Sequence, residues 1–283
     1  MRFFLFFLFI FNYSYSQENK NLLDLIDRKD DVEVINFFKD IKLINSHSVE
    51  FVDNQVLHFM IQHRFGPISN EGKNLWGLDE SQIRFGLTYG LSDNLNIGIG
   101  RSSYEDIIDF FIKKNITKQS DFFFQSSFVG SVFLNQFTFA EQQTEDFVFN
   151  EQLSYSSQFL IARKFNKLLT LQLMPTLNLY NNILEDVQGN KQNNYFDYSV
   201  GLGSRFLITK STTFNFEYYY LFSDLEKNNS FSFGFDIETG GHVFQFHFSN
   251  TKWMVEKGFI NRLYSSEKEL FFGFNISRVF NLN

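Results

Sequence analysis

The chain has 283 residues, of which 41 are Phe and 12 are Tyr, and it carries a formal net charge of −7 at pH 7. It contains no Cys, which excludes disulfides, thiolate metal sites and cysteine catalysis. The negative mean hydropathy argues against a bundle of membrane helices. The acidic balance, without a Lys/Arg cluster, argues against nucleic acid as a partner.

Residues 1–16 have the three-part layout of a secretory signal peptide. Arg2 precedes an apolar run over 3–11, which falls short of the ~20 residues that a membrane helix needs. The small residues that follow predict cleavage before Gln17. Because an exported chain without Cys fits a bacterial envelope better than a eukaryotic secretory route, we expect a protein of a bacterial envelope that is exported by this signal peptide.

Residues 17–54 form a second segment with a different pattern. An apolar cluster at 22–26 fits a short amphipathic helix, and a charged run over 27–31 precedes an extended stretch over 32–44. The sequence leaves three arrangements open for this N-terminal segment: a periplasmic extension, an extra strand pair, or a plug folded into the lumen of the domain that follows.

From residue 55 onward, apolar and polar residues alternate along the chain. The clearest stretch is 169–179, in which most odd-numbered positions are leucines and the even-numbered positions include Thr170 and Gln172. A period of two over such a length indicates a strand with two unlike faces. The predicted strands lie at 55–65, 82–91, 95–102, 106–114, 121–133, 152–165, 168–180, 195–207, 212–221, 230–239, 242–249 and 270–280.

Strand length and loop length both favour a membrane barrel. Most predicted strands exceed the about 5–6 residues usual in soluble sheets and suit the ~9–11 residues of a tilted membrane-spanning strand. Connections after the even-numbered strands are short, and those after most odd-numbered strands are long, including 134–151 and 181–194. This alternation is typical of periplasmic turns and outer loops. The link near 103–105 is the exception.

The predicted fold is therefore all-β: a transmembrane, antiparallel, up-and-down β-barrel of about 12 strands over residues 55–283. A soluble β-sandwich is the alternative, but its outward faces would be charged. The polar faces here are rich in small residues, which suit a crowded lumen. They include Gly86, Gly98, Gly100, Gly201, Gly203, Gly234 and Gly273.

Charged residues on the predicted inward faces are the first candidates for function. They are Arg64, Arg84, Arg205, Asp197, Glu217, Asp236 and Glu238. Two interpretations stay open for this lumen charge network. Opposite charges could pair across strands in a largely closed interior, because isolated buried charges are costly. Alternatively, the charges form a constriction that selects a small solute.

The histidines do not predict a metal site. In the pairs His58/His63 and His242/His247, an odd separation on a strand puts the two imidazoles on opposite faces. We expect His58 and His247 in the lumen, where hydrogen bonding is favoured over a cross-strand metal site. No metal and no cofactor is predicted.

The sequence also lacks the motifs of the common enzyme classes. It has no nucleophile elbow, no His-Glu-x-x-His and no phosphate loop. The stretch 239–242, which contains Gly240 and Gly241, is interpreted as a tight hairpin turn with positive φ. No catalytic residue is therefore predicted. An outer-membrane lipid- or peptide-modifying enzyme is only the third interpretation.

Several hydrophobic side chains fall in the predicted long loops. They are Leu75, Trp76, Phe137, Phe139, Trp253, Met254 and Phe259. They either pack over the barrel mouth as a lid, which is slightly favoured, or present a surface to a partner.

Several sequence blocks, in a fixed order from about residue 35 to the end, resemble an uncharacterised, domain-of-unknown-function family of Gram-negative outer-membrane β-barrel proteins. The blocks lie at 43–50, 61–66, 75–79, 83–90, 97–103, 161–166, 171–176, 236–245 and 272–280. The resemblance implies an outer-membrane barrel. It implies no activity, substrate or catalytic residue, and the loops 134–151 and 181–194 contain no such block.

These observations lead to one functional hypothesis and two alternatives. The main hypothesis is a narrow outer-membrane pore or transporter for a small or amphipathic solute. The first alternative is a non-conducting structural barrel, or the barrel component of an envelope complex with an unknown partner protein. The enzyme is third. In each case the expected partners are outer-membrane lipid and the barrel-assembly machinery, and not nucleic acid.

Overall fold

The computed structural model describes residues 36–68, 75–120, 123–136, 148–185, 191–222, 229–261 and 269–282, with backbone only for 182–185 and 191–194. The predicted signal peptide, residues 17–35, and the loop residues Phe137 and Phe139 lie outside the described residues.

The described residues form one closed antiparallel barrel in which each strand pairs with the next and the first pairs with the last. Its strands are β1 Val56–Pro67, β2 Ser81–Ser92, β3 Leu95–Ser102, β4 Ile107–Thr117, β5 Gln125–Asn135, β6 Leu153–Lys164, β7 Leu169–Glu185, β8 Lys191–Leu207, β9 Thr212–Phe222, β10 Ser230–Thr239, β11 His242–Ser249 and β12 Phe271–Asn281. The predicted all-β barrel of about 12 strands is confirmed.

Short helices occur only in the connections of this part of the chain. Three are 3₁₀ turns, at Leu75–Gly77, Tyr104–Asp106 and Phe149–Gln152, and the fourth is α1, Glu256–Phe259. Within the residues that the structure describes, no helix has the length and apolar character needed to cross a membrane.

Alternation along the strands separates an apolar outer face from a polar inner face. On β7, Leu173 is 48% exposed, whereas its neighbours Gln172 and Met174 are fully buried. Among the described residues, no layer packs against the outside of the barrel, so the buried face is the lumen. The strand faces predicted from the period of two are therefore correct.

The turn between β10 and β11 confirms another prediction. Thr239 pairs with His242, which leaves Gly240 and Gly241 as a two-residue turn with φ of 57° and 77°. Two consecutive positive φ angles are the mark of a type I′ hairpin turn, which glycine adopts without a steric penalty.

The predicted long loop at 181–194 is wrong. Strands β7 and β8 continue to Glu185 and from Lys191, and their pairing resumes at Ile183 after a register shift that follows Tyr180. The stretch is polar and has no clear alternation, so the local sequence pattern does not predict that the two strands continue. The connection near 103–105 is indeed short, and it turns through Glu105 and Asp106, both with positive φ.

Candidate functional site in the barrel lumen

Residues 36–53, here called the inner segment, add no strand to the barrel wall, and residues 38 and 40–49 of this segment are buried inside the barrel. They contain a small hairpin in which Leu43 N–H donates to Ser46 O and Ser48 N–H donates to Ile41 O, both at 2.9 Å. The tip of this hairpin is buried, with Asn45 completely inaccessible to solvent. The chain therefore places its own backbone in the middle of its lumen.

Glu217 on β9 accepts hydrogen bonds from the hairpin tip with both carboxylate oxygens. Asn45 N–H donates to Oε1 at 3.0 Å, and Ser46 N–H donates to Oε2 at 3.2 Å. The Ser46 hydroxyl also donates to Oε2 at 2.9 Å and accepts a hydrogen bond from the Tyr219 hydroxyl. Hydrogen bonds to a charged acceptor are stronger than neutral ones. They satisfy a carboxylate that is buried in the lumen.

Side-chain amides on three other strands bind the hairpin carbonyls. Gln245 on β11 donates to Lys42 O at 3.2 Å and to Leu43 O at 2.6 Å. Asn275 on β12 donates to Ile44 O at 3.0 Å. Gln172 on β7 donates to His47 O at 2.8 Å. The wall thus supplies the partners that a non-helical, non-sheet backbone needs when it is buried.

Arg64 and Glu217, two members of the predicted charge network, both contact Asn45 of the hairpin. Arg64 donates to Asn45 Oδ1 at 2.6 Å and to Asn275 Oδ1 at 3.1 Å. Asn45 in turn donates through its side chain to the Ser232 hydroxyl at 2.9 Å. One hairpin residue therefore joins β1, β9 and β10 directly, and Arg64 links it to Asn275 on β12.

Glycines on β8 create the space for the apolar side chain of the hairpin. A Cβ atom at Gly203 would lie 2.3 Å from Leu43 Cδ2, and one at Gly201 would lie 2.5 Å from Tyr219 Cε1. Met174 lines the same place from β7, with its Cε 3.4 Å from the Cβ position of residue 203. The small inward glycines predicted from the sequence thus leave space for particular side chains that pack against them.

Arg84 pairs with a carboxylate that sequence reasoning did not single out. Its guanidinium is buried on β2 and bonds Asp109 on β4 with two nitrogens, with Nε to Oδ1 at 2.9 Å. A third bond runs to Gln62 Oε1 at 2.8 Å. The absence of side chains at Gly86 and Gly100 provides space for the guanidinium, since a Cβ at position 100 would lie 2.2 Å from Arg84 Nη2.

His58 contacts the start of the inner segment at the end of the barrel that carries the short turns. Its Nε2 lies 2.8 Å from Asp40 Oδ1, and the Ser277 hydroxyl donates to Asp40 Oδ2. The carboxylate lies between the hydroxyl and the imidazole, so the imidazole does not contact the hydroxyl. This order does not activate a serine nucleophile. A polar cavity of about 400 Å³ adjoins these three residues.

Glu238 departs from the predicted lumen network. Its side chain is half exposed at the rim, where it pairs with Lys39 of the inner segment at 2.6 Å. The reason is its position one residue before the end of β10, next to the 240–241 turn. It therefore lies outside the enclosed part of the lumen.

The remaining network residues are buried in the wall. Asp236 accepts a hydrogen bond from Gln245 at 3.1 Å, while Arg205, Asp197 and His247 are each no more than 2% exposed. Within the described residues, no three His, Asp or Glu side chains are grouped so as to hold a metal ion. Both His58 and His247 are buried and face the lumen.

The loop between β11 and β12 enters the lumen from the opposite end. Its residues Trp253, Met254 and Phe259 are buried. Tyr180 donates to the carbonyls of Lys257 and Ile260, both at 2.7 Å. Leu75 and Trp76, in contrast, are more than half exposed. Of the loop hydrophobic residues that are described, one group packs inward and the other faces solvent.

The inner segment and the β11–β12 loop meet at Glu256. Its Oε1 lies 3.5 Å from Lys42 Nζ and 3.7 Å from His47 Nε2. Burial lowers the pKa of Lys42, and the Glu256 carboxylate opposes that shift. Burial also lowers the pKa of His47 well below its ordinary value, so at neutral pH the imidazole is neutral. Of these two side chains, only Lys42 can therefore carry a positive charge next to Glu256 at neutral pH.

Several residues of the lumen network were not identified from the sequence. For Gln62, Gln245 and Asn275 a signal existed, because each has the same strand parity as an inward residue already named; no inward residue had been named on β4, the strand of Asp109. No such signal existed for the inner segment, whose partners lie on strands far away in the chain.

Comparison with solved structures shows the same kind of fold at low sequence identity. A NanC porin matches with a TM-score of 0.53 and 10% identity, over 78% of this chain and 98% of the porin. The COG4313 outer membrane channel from Pseudomonas putida F1 matches with a TM-score of 0.50 and 10% identity, over 81% of this chain and 97% of the channel. At such identity, the likeness concerns the fold alone.

No curated protein sequence matches the chain. A family model described as a membrane-bound beta barrel domain (DUF5777) matches residues 38–280. That range includes all twelve barrel strands apart from the last residue of β12, and most of the inner segment. The resemblance inferred from the sequence blocks is thereby confirmed, and the chain belongs to this family of membrane-bound β-barrel domains.

Proposed function

We propose that the protein is a narrow pore or transporter in the outer membrane of a Gram-negative bacterium, that its solute is small or amphipathic, and that the inner segment acts as its plug. The signal peptide at 1–16 would export it, and barrel-assembly machinery would insert it with its apolar faces against outer-membrane lipid. The channel conducts only when the inner segment leaves the lumen.

One observation carries the proposal: polar side chains hold the inner segment in the lumen. Glu217, Gln172, Gln245 and Asn275 bind it through hydrogen bonds. When the segment leaves, water replaces these bonds, and the net cost per bond is only about 0.5–1.5 kcal/mol. Departure also exposes the buried apolar side chains Phe38, Leu43 and Val49, at about 25 cal/mol per Å² of apolar surface.

The non-conducting barrel remains the second candidate. Contact between the inner segment and the β11–β12 loop at Glu256 closes the lumen from both ends. This contact favours a barrel whose interior stays filled, as in a structural protein or a component of an envelope complex. The enzyme is less well supported, because Asp40 lies between Ser277 and His58.

A disulfide that ties the inner segment to the wall tests the proposal. A Cβ at position 203 would lie 3.7 Å from Leu43 Cγ, so Leu43→Cys with Gly203→Cys is within reach of a disulfide. The chain has no other Cys. We expect the oxidised double variant to give no current steps in a planar bilayer, and the reduced form to conduct.

The two single-Cys variants, treated with the same oxidant, are the matched controls and should conduct alike before and after treatment. Heat-modifiable gel mobility verifies that each variant is folded. Equal current from the oxidised and reduced double variant would refute the plug. Silence of the reduced form and of both single variants would favour the non-conducting barrel.

A further inference from the structure

Side chains of the lumen wall form hydrogen bonds with the backbone of the inner segment. Four side chains, on β7, β9, β11 and β12, bind four carbonyls and two N–H groups of residues 42–47. Here they are called the backbone-binding residues: Gln172, Glu217, Gln245 and Asn275. Few of these contacts depend on which side chain the hairpin carries.

The chemistry of each contact matches a peptide group. Glu217 is an acceptor on both oxygens, and it receives the N–H groups of two consecutive residues, one on each oxygen. The three amides act on the hairpin as donors, and each faces a carbonyl. A peptide offers this alternation of donors and acceptors at fixed spacing, whereas a sugar offers hydroxyls that serve as both.

One apolar notch adds side-chain selectivity. Leu43 enters the space left by Gly203, beside Met174 on β7. In the chain this aliphatic residue stands two positions before Asn45, whose N–H reaches Glu217. The site thus binds an aliphatic side chain and, two residues later in the chain, the N–H groups of two consecutive residues.

We infer that the hairpin 41–48 occupies the binding site of the solute. When the channel is open, this site binds short peptides that have an aliphatic residue two positions before the amides that reach Glu217. This inference rests on the proposed function, because the site becomes available only when the inner segment leaves. It adds the substrate class, short peptides.

The test uses the full-length chain with Asn45→Ala and Ser46→Ala. These changes remove the hairpin side-chain bonds to Arg64, Ser232 and Glu217 and leave the backbone-binding residues intact. The probe is an acetylated and amidated Leu-Ile-Asn-Ser peptide, applied to single channels in a planar bilayer. A neutral disaccharide of similar size is the comparison solute.

We expect the peptide to block the current reversibly and the disaccharide to have no such effect. Adding Glu217→Gln should weaken the block about tenfold, because one carboxylate oxygen becomes a donor. Glu80→Gln, an exposed side chain outside the lumen, is the matched control and should leave the block unchanged. Gly203→Val should weaken block by the Leu peptide more than by an Ala-Ile-Asn-Ser peptide.

The outcomes separate the two proposals. A folded but silent Asn45→Ala, Ser46→Ala variant contradicts the channel itself. A conducting variant that the peptide and the disaccharide block equally, or in which Glu217→Gln has no effect, overturns the peptide inference and leaves the channel in place. Selective block that depends on Glu217 and Gly203 supports the inference.

Discussion

Replacing Arg84 by Met is expected to be one of the most damaging single changes in the barrel wall. The guanidinium makes two bonds to Asp109 and one to Gln62. Its side chain is 3% exposed and that of Asp109 is 5% exposed, so solvent screens the pair very little. Arg84→Met leaves a carboxylate buried without its partner.

The expected loss follows from that burial. Removing one partner of a buried ion pair costs about 3–5 kcal/mol, while replacing both partners by apolar residues of similar volume is often close to neutral. The double variant Arg84→Met, Asp109→Leu should therefore be more stable than the single variant Arg84→Met. The coupling energy of the double-mutant cycle should exceed about 2 kcal/mol.

Urea unfolding of the purified barrel in lipid vesicles, followed by heat-modifiable gel mobility, measures these differences. Arg101→Met is the control, because its ion pair with Asp106 at 3.0 Å is more than half exposed on both sides. Such an exposed pair is worth less than about 1 kcal/mol. A loss below about 1 kcal/mol for Arg84→Met, or additive losses in the cycle, would refute the reasoning.

Two further predictions concern packing and pH. A Cβ at Gly98 would lie 2.1 Å from Phe111 Cε1, so Gly98→Val should lower the free energy of unfolding by about 1–3 kcal/mol; an unchanged urea midpoint would contradict this. Burial lowers the pKa of Lys257 to about 8, against an opposing effect of Glu105. Docking of the β11–β12 loop should therefore be weaker below pH 8 and strengthen between pH 8 and 10.5, where the amine is neutral only when docked. Acrylamide quenching of Trp253 fluorescence, with Trp76 replaced by Phe, should fall over that range; Lys257→Met should abolish the change, and a pH-independent signal in the parent would rule out the titration.

Local pattern was sufficient for the strands and their faces. Alternation at 169–179 predicts which side of β7 is buried, because side chains on a strand point to opposite faces in turn. The two glycines of the 240–241 turn likewise predict a type I′ hairpin, because glycine readily adopts the positive φ angles that this turn requires. At 181–194 there is no alternation to recognise. The continuation of β7 and β8 depends on pairing between the two strands.

The contents of the lumen were decided by tertiary structure alone. The sequence left 17–54 open among three arrangements, and it left the charge network open between pairing across strands and a constriction that selects a solute. In the structure Asn45 and Glu217, 172 residues apart, form a contact that carries no local signal. Period and turn chemistry are properties of neighbouring residues, whereas the partner of a buried charge is chosen by barrel closure, which brings distant strands around one segment.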